Sequence, residues 1–152
     1  MKLKEIINTW RSFLTEEVVY SGILKIKPKE DILSQLESMQ SFLPEEAKRL
    51  NSDDLHLTLV HQSILKPFEE QLKKIELPEP PGIELSLDAQ VIERKSPGKK
   101  SWAVKVDNQE EMREYVKNIM EMLGSPNTNP EPERVFHISL ANLSGNPHDS
   151  VR

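Results

Sequence analysis

Two short stretches of the chain share one pattern: a histidine, an apolar residue, a hydroxyl residue and another apolar residue. The first is His56-Leu57-Thr58-Leu59, and the second, His137-Ile138-Ser139-Leu140, follows 81 residues later (137 − 56). Strict alternation of polar and apolar residues predicts a half-buried strand, in which residues two apart face the same side. We therefore expect two similar strands, each presenting an imidazole and a hydroxyl together on its polar side.

The composition is that of an ordinary single domain. With 152 residues the chain is long enough to bury a core without metal ions or crosslinks, so we expect one domain over residues 1–152. It has no cysteine, which excludes disulfides, thiol nucleophiles and iron–sulfur clusters and suits a cytoplasmic protein. The first residues, Met1-Lys2-Leu3-Lys4-Glu5-Ile6-Ile7, favour an amphipathic helix over a signal peptide, and the short apolar runs predict no membrane partner.

The charge balance is acidic, with 20 Lys plus Arg against 25 Asp plus Glu and a net charge of -5. A general attraction to duplex nucleic acid is therefore not expected, whereas a small phosphorylated ligand held by local positive charge is compatible. The densest basic stretch, Arg94, Lys95, Lys99 and Lys100, surrounds Ser96-Pro97-Gly98 and is interpreted as a solvent-exposed hairpin tip.

Apolar periodicity and breaker residues divide the chain into helices and strands. The pattern predicts helices over residues 3–16, 28–39 and 68–75, and a further helix that Asn108 caps and Gly124 closes. It predicts strands over residues 18–27, 54–61, 83–91 and 102–106, a turn at 96–98, and a loop over 125–133 before the second His strand. A linker is expected at Pro78, Pro80 and Pro81.

The chain thus contains a strand-helix-strand unit twice, and each unit ends in a His motif. Tyr20 precedes His56 by 36 residues (56 − 20), and Trp102 precedes His137 by 35 residues (137 − 102). We predict an α+β fold of two similar halves, one at about residues 18–61 and the other at about 83–141. The halves are expected to face each other across a cleft, with the His strands at the centre.

Two imidazoles and two hydroxyls at one cleft are suited to cleaving a phosphodiester in RNA. Attack by the neighbouring 2′-hydroxyl needs one group to take its proton and another to protonate the departing 5′-oxygen, which a neutral and a charged imidazole can do. Thr58 and Ser139 would donate hydrogen bonds to the nonbridging oxygens, where negative charge builds. This scheme requires no metal, and the residues leave open which histidine, His56 or His137, is the base.

The remaining histidines and the two adjacent aspartates are not expected to take part in catalysis. His61 lies outside the alternation that starts at His56, and His148 lies in a polar tail, so both are interpreted as surface residues. Asp53 and Asp54 could join His56 and His61 in a metal cluster, but adjacent aspartates before a strand more often occupy a turn, so no metal site is expected.

Tyr20 and Trp102 have two interpretations. They could stack on nucleotide bases, or each could be a strand aromatic packed in the core. The sequence leaves these two alternatives open.

The paired His-x-Thr/Ser motifs resemble those of the 2H phosphoesterase superfamily, which includes the bacterial 2′-5′ RNA ligase-like proteins. The resemblance implies a bilobal fold of two pseudo-twofold-related β-α-β units, with antiparallel sheets around a central cleft. It also implies no metal or other cofactor, with catalysis by His56, Thr58, His137 and Ser139.

The C-terminal segment His137-Ile138-Ser139-Leu140-Ala141-Asn142-Leu143-Ser144-Gly145-Asn146-Pro147 is similar to that of the tailed-phage anti-CBASS phosphodiesterases. That likeness implies hydrolysis of the 3′,5′-linked cyclic di- and trinucleotide signals of bacterial defence, in the cytoplasm of the host. Tyr20 and Trp102 would then sandwich the bases. Asn142 would contact the ligand or, as the residues themselves favour, fix a turn.

Two rival functions remain open. One is a phosphodiesterase or ligase that acts on 2′-5′ RNA ends or on nucleoside cyclic phosphates. The other is a sponge that binds a cyclic nucleotide without cutting it. Two complete His-hydroxyl pairs argue against the sponge, because capture of phosphate alone more readily uses Arg or Lys.

Overall fold

A seven-stranded antiparallel sheet forms the centre of residues 16–152, the part of the chain that this computed structural model describes. The strands are β1 (Glu17–Tyr20), β2 (Leu24–Lys27), β3 (Lys48–Arg49), β4 (Leu57–Val60), β5 (Val91–Ser96), β6 (Lys99–Lys105) and β7 (His137–Asn142). The α-helices are α1 (Glu30–Gln40), α2 (Gln62–Leu65), α3 (Glu69–Leu72) and α4 (Gln109–Met122). The mixed α and β composition is confirmed, while the helix expected over residues 3–16 falls almost entirely outside the described range.

The strand order is symmetrical about the middle of the sheet, because each half contributes the same kinds of strand in the same positions. It runs β1-β2-β4-β7-β6-β5, so each half contributes an outer hairpin and one inner strand, and β3 pairs separately with β7. A helix joins hairpin to inner strand in both halves: α1 lies between β2 and β4 in sequence, and α4 lies between β6 and β7. The two His strands, β4 and β7, therefore meet in the middle of the sheet, as the sequence predicted.

The segment expected to be one strand over residues 18–27 is a hairpin, so that prediction was wrong. β1 pairs with β2 from Glu17↔Lys27 to Tyr20↔Leu24, and the chain reverses at Ser21–Ile23. Gly22 adopts a φ of 86°, a left-handed conformation that favours glycine. The apolar residues on both sides of this turn hid the break, because a Ser-Gly pair is a weaker turn signal than the Asn-Gly pair of typical hairpins.

The strand predicted over residues 83–91 is also absent, since β5 begins only at Val91. Asn108 holds the preceding segment: its Oδ1 accepts from the Glu84 amide at 3.1 Å, and its Nδ2 donates to the Gly82 carbonyl at 2.7 Å. Ile83 is buried, whereas Leu87 is 98% exposed. The alternation of apolar residues thus reflects intermittent packing of a loop. Its backbone groups bond to the Asn108 side chain, the Asp107 amide and the Glu16 carboxylate rather than to a neighbouring strand.

Helices α1 and α4 bury apolar faces against the core. The buried residues at helical spacing are Ile32 and Leu36 of α1 and Met112, Val116, Ile119 and Met120 of α4. Leu57 and Ile138, from the two His strands, belong to the same core cluster and are fully buried. Replacing one of these core residues by alanine should cost about 2–5 kcal/mol. The core therefore holds one face of β4 and β7 rigidly, which leaves their polar face for the site.

Asn108 and Gly124 were predicted to mark the two ends of α4, and only Gly124 does so through the predicted contacts. Asn108 occupies the N-cap position, but its side chain makes no capping hydrogen bond because it is engaged with residues 82–84. Gly124 has a φ of 72° and its amide donates to the Glu121 carbonyl at 3.0 Å, so it closes the helix as predicted. Within residues 16–152, none of the helices has the length and apolar character needed to cross a bilayer.

Candidate functional site

A cleft of about 390 Å³ lies over the junction of β4 and β7, on the side of the sheet away from the apolar core. All four residues of the two His motifs line it, namely His56, Thr58, His137 and Ser139. It is also bordered by the β1–β2 turn, by the segment before β7 and by the C-terminal residues Pro147, His148, Ser150, Val151 and Arg152. The structure therefore brings the predicted catalytic residues together.

The register of the two central strands determines how these residues face one another. Leu57 pairs with Ile138 in antiparallel orientation, and both side chains are turned into the core. In an antiparallel pair the neighbours of these two residues point to the opposite face. Counting outward from Leu57↔Ile138, Thr58 falls opposite His137 and His56 falls opposite Ser139. The hydroxyl of each motif thus lies across from the histidine of the other.

His56 is held at both ring nitrogens. Its Nδ1 lies 2.7 Å from the backbone carbonyl oxygen of Asp54, and its Nε2 lies 3.1 Å from Thr58 Oγ1. Because a carbonyl can only accept, Nδ1 carries a proton. In the neutral ring Nε2 then accepts from the Thr58 hydroxyl, whereas in the charged ring Nε2 donates to Thr58 Oγ1 and leaves that hydroxyl proton for a substrate oxygen. Burial lowers the pKa of His56, an effect that the Asp54 carbonyl partly opposes and the Lys25 ammonium strengthens.

His137 repeats this arrangement in the second half. Its Nδ1 lies 3.0 Å from the backbone carbonyl oxygen of Val135, again two residues earlier in the chain. The side chain is largely buried, and burial together with the positive charges of Arg94 and Arg134 lowers its pKa. In both histidines a backbone carbonyl orients the ring, so Nε2 is the atom available for proton transfer in the cleft.

Arg94 also lies at His137 Nδ1. A guanidinium N–H can donate only to an unprotonated nitrogen, so this contact and donation from Nδ1 to the Val135 carbonyl are alternatives. One guanidinium nitrogen lies 3.0 Å from Nδ1 and the other donates to the Arg152 carbonyl at 2.6 Å. Arg94 lies in β5, in the basic stretch that was interpreted as an exposed hairpin tip. That interpretation was wrong for Arg94, since its side chain reaches the site. It holds for Lys95 and Lys99, which are exposed, whereas the Lys100 side chain is 19% exposed and its ammonium lies over the Trp102 ring.

His61 and Arg134 are site residues that sequence reasoning missed. His61 was interpreted as a surface residue, but it lines the cleft and its Nε2 lies within hydrogen-bonding distance of an Arg134 guanidinium nitrogen. The alternation that starts at His56 does not reach His61, because β4 ends at Val60. Arg134 lies only three residues before His137, and this closeness in sequence was the available signal.

The charges that face the cleft are mostly positive. Lys25, Arg134 and Arg152 line it, with the Asp54 carboxyl as the opposing charge. Lys25 of β2 pairs with Thr58 of β4, so its side chain neighbours the Thr58 hydroxyl. A second hollow of about 610 Å³ adjoins the cleft and shares His61, Arg134, His137 and Arg152 with it. These cations create a local site for an anion on an acidic protein.

Trp102 is buried rather than presented to a ligand. Only 2% of it is exposed, it packs with Ala47 and Ala141, and the Lys100 ammonium lies 4.9 Å from the centre of its ring. It does not line the cleft, so the structure favours the core alternative over base stacking. Trp102 pairs with Ala141 of β7, next to a shift in register between Trp102 and Ala103.

Asn142 serves the turn that follows β7. Its Nδ2 donates to the Asn146 carbonyl at 2.6 Å and to Ser150 Oγ at 3.1 Å, and its Oδ1 accepts from the Ser144 and Gly145 amides. The residue is completely buried, so it has no free hydrogen-bonding surface for a substrate. The prediction that Asn142 binds ligand is therefore replaced by its alternative, a role in the turn.

Tyr20 packs partly against the core at the end of β1. The turn residues that follow it, Ser21, Gly22 and Ile23, line the cleft, whereas Tyr20 itself does not. Stacking of Tyr20 on a base stays a prediction. His148, interpreted as a surface residue, is exposed and lies at the rim of the cleft.

A metal cluster was considered at Asp53, Asp54, His56 and His61. Ser52–Asp54 forms a 3₁₀ turn before β4, the location expected for adjacent aspartates. Across residues 16–152, no group of three or more His, Asp or Glu side chains is arranged to hold a metal ion. The cleft holds His56 and His137 together with the Thr58 and Ser139 hydroxyls among cations, which is a donor set suited to an anion.

Comparison with models of protein families, with curated proteins and with solved structures gives no match for this chain. The function must therefore be argued from the cleft itself.

Proposed function

We propose that this protein is a phosphodiesterase of the 2H type that opens 3′,5′-linked cyclic di- and trinucleotides without a metal ion. The observation that carries the proposal is the pair of histidines at one cleft, each with Nδ1 against the carbonyl of the residue two positions earlier. The matched orientation of His56 and His137 supports proton transfer by Nε2 from two sides of one phosphorus centre. The symmetrical strand order supports the bilobal, pseudo-twofold arrangement of that superfamily.

The proposed reaction is an internal transfer at phosphorus. The 2′-hydroxyl loses its proton to one imidazole, its oxygen forms a bond to phosphorus, and the bond from phosphorus to the 5′-oxygen breaks. The other imidazole gives its proton to that departing oxygen. The product is an opened chain with a 2′,3′-cyclic phosphate, and water can then open this phosphate with the two imidazoles in exchanged roles.

The surrounding charges favour His137 as the base and His56 as the acid. Arg94 and Arg134 both act to lower the pKa of His137, so its neutral, proton-accepting form is preferred. At His56 the Asp54 carbonyl and carboxyl favour the charged form, although burial and the two lysines of β2 oppose it. The base needs a free lone pair and the acid needs a proton, so the two guanidinium groups that face His137 are the ground for this assignment. Burial lowers the pKa of both histidines, and the Val135 and Val151 carbonyls oppose that shift at His137.

The hydroxyls and Lys25 complete the site. Thr58 and Ser139 stand on adjacent strands, on the same face as the imidazoles, and can donate to the two nonbridging oxygens. Lys25 neighbours Thr58 across the β2–β4 pair and supplies a positive charge next to the developing dianion. Each donor is held on a strand whose other face is packed in the core, which makes the site preorganised.

The dimensions of the site support a ligand larger than one nucleotide. The cleft of about 390 Å³ and the adjoining hollow of about 610 Å³ each fall in the range of about 300–1,000 Å³ typical of ligand pockets. Arg152 lines both and Arg94 lines the hollow, so a second phosphate of a cyclic oligonucleotide would meet positive charge there, beside the carboxylates of Glu131 and Glu133. Cleavage of such signals would take place in the cytoplasm of an infected bacterial host.

The test is incubation of purified protein with a panel of cyclic di- and trinucleotides, 2′-5′ RNA ends and nucleoside cyclic phosphates in EDTA, with products identified by mass. We expect opened chains from the cyclic oligonucleotides, and no cleavage of analogues that lack the 2′-hydroxyl. Preference for 2′-5′ ends would reassign the substrate to the rival phosphodiesterase. Recovery of intact ligand after tight binding would mean a sponge, and would refute the enzyme.

A further inference from the structure

Arg134 connects the two halves of the site. One guanidinium nitrogen donates to the Thr58 backbone carbonyl at 2.9 Å, and the other contacts His61 Nε2 and lies 3.2 Å from a Glu131 carboxylate oxygen. Thr58 and His61 belong to the first half, whereas Arg134 and Glu131 belong to the second. The arginine side chain is 10% exposed and lies 5.7 Å from the centre of the Phe136 ring.

The backbone contact between the halves is sparse where this arginine lies. β4 and β7 share the single register pair Leu57↔Ile138, whereas β6 and β7 pair at five positions from Ser101↔Asn142 to Lys105↔His137. β3 also pairs with β7, but at the far end of that strand, Lys48↔Asn142 and Arg49↔Ala141. At the His137 end the backbone contact is limited to one register pair, so the separation of the two His motifs there also depends on side chains between β4 and β7. Arg134 is such a side chain, because it is largely buried and donates to a backbone carbonyl of the other half. Its planar guanidinium holds both the distance and the orientation of the groups that it contacts.

We infer that Arg134 is a positioning residue that sets the spacing of the two His motifs, an inference that rests on the proposed function. It lies three residues before His137 and grips the backbone of Thr58, the residue that faces His137 across the strand pair. A change at Arg134 therefore alters the placement of the Thr58 hydroxyl relative to the His137 ring. His61 serves as the second acceptor for Arg134, which explains a histidine in the cleft that the reaction does not use.

The obvious alternative is that Arg134 binds a substrate phosphate directly. Its terminal nitrogens, however, are already engaged by a backbone carbonyl, an imidazole and a carboxylate, and little of its surface reaches solvent. Binding a phosphate would require exchanging these partners. Lys25 is better suited to that task, because it neighbours Thr58 in the cleft without being buried.

The test compares Arg134→Met, Arg134→Lys and the control Arg49→Met, which removes an exposed arginine from β3 of the same sheet. We expect Arg134→Met to lower kcat about 100-fold, the scale of a misplacement of about 1 Å, with KM changed less than about threefold. Arg134→Lys should recover little, because an ammonium cannot reach all three acceptors. A large rise in KM with kcat unchanged would overturn the inference and make Arg134 a phosphate ligand.

A second readout does not depend on turnover. The histidine ring signals of His61 and His137 can be titrated by NMR in the wild type and in each variant. His137 faces Arg94 of β5, Arg134 before β7, His61 after β4 and the C-terminal residues Val151 and Arg152, and Arg134 is the charge that Arg134→Met removes. We expect both titrations to move to higher pH and the Thr58 amide signal to shift.

The two proposals fail separately in this design. If the wild type cleaves nothing in the panel, the proposed function fails, and the NMR titrations still decide whether Arg134 positions the histidines. Unchanged His61 and His137 titrations with an unchanged Thr58 amide signal would refute the positioning role. If Arg134→Met does not fold by circular dichroism, Arg134→Lys and His61→Ala carry the same comparison, and wild-type kcat in both would refute it.

Discussion

Thr58 of β4 lies opposite His137 of β7, because Leu57 and Ile138 form the register pair between these strands. The same register brings His56 opposite Ser139. Each histidine therefore faces the hydroxyl residue of the other motif across the strand pair, although the sequence suggests that each motif acts alone. The proposed phosphate site is built from cross-strand pairs, and its geometry depends on the seam between the halves.

Removal of either imidazole should abolish most turnover. For His56→Ala and His137→Ala, we expect kcat to fall about 100 to 10,000-fold, the usual contribution of a general acid or base. Both rings lie on the cleft side of the sheet, so the core should be unaffected. Steady-state kinetics with a cyclic dinucleotide would measure the loss, and circular dichroism would verify the fold. Robust turnover by either variant would refute the two-histidine scheme.

The hydroxyls should act on the transition state more than on binding. We expect Thr58→Val and Ser139→Ala each to lower kcat by about 100 to 1,000-fold, as loss of one preorganised donor does in other enzymes. Thr58→Ser and Ser139→Thr retain the donor and are the matched controls. A comparable loss in Thr58→Ser would show that packing of the threonine methyl group, rather than its hydroxyl, is what matters.

The pH dependence of activity should shift when Arg94 is removed. In the proposed assignment, activity is lost at low pH as His137 becomes protonated and at high pH as His56 loses its proton. The positive charge of Arg94 lowers the pKa of His137, so Arg94→Met should raise that pKa and move the acidic limb of kcat/KM to higher pH. Movement of the basic limb alone would instead assign the base role to His56.

Stability should fall in mild acid because of His61. Burial and the neighbouring Arg134 lower the pKa of His61 from 6.5 to about 4. Between these two values the unfolded chain binds more protons than the folded one, so the free energy of unfolding rises with pH. Above about pH 6.5 the stabilising contribution of neutral His61 is fully present. The free energy of unfolding, measured with urea at several pH values from 4 to 7, should rise less steeply with pH in His61→Gln than in the wild type. An identical dependence on pH in both proteins would contradict the depressed pKa of His61.

Asn142 should matter for stability. Truncation to alanine removes the hydrogen bonds that the fully buried Asn142 side chain makes to the backbone of residues 144–146, so we expect Asn142→Ala to lower the free energy of unfolding by about 1–3 kcal/mol. Asn51→Ala, at an exposed position without a side-chain capping bond, is the matched control and should change it by less than about 0.5 kcal/mol. Urea denaturation would measure both.

The sequence predicted the parts of this molecule that local patterns determine. Alternation located β4 and β7, helical spacing located α1 and α4, and Gly124 marked the end of α4, because these signals concern residues close together in the chain. The hairpin at Gly22 and the loop over residues 83–90 were missed. In the second case the deciding partner, Asn108, lies 24 residues from Glu84, and no local pattern reveals such a contact.

The site shows the same division. His56, Thr58, His137 and Ser139 were found because the motif is repeated, and the structure brings all four to one cleft. Arg94, His61 and Arg134 belong to no repeat, and their roles depend on which strands become neighbours in the folded sheet. Trp102 was ambiguous because the residues it packs with, Ala47 and Ala141, are distant from it in the chain, and no local pattern reveals that contact.

The mirrored strand order has a consequence for how such an enzyme would lose its activity. One proton carrier comes from each side of the midline, and the two sides are joined by the Leu57↔Ile138 pair, by the pairing of β3 with the far end of β7, and by the contact of Arg134 with the Thr58 carbonyl. A slight loosening between β4 and β7 would separate His56 from His137 while the apolar core stays packed. Turnover would then report on that joint more sensitively than any spectroscopic measure of folding, and a small molecule wedged there would inhibit without competing for phosphate.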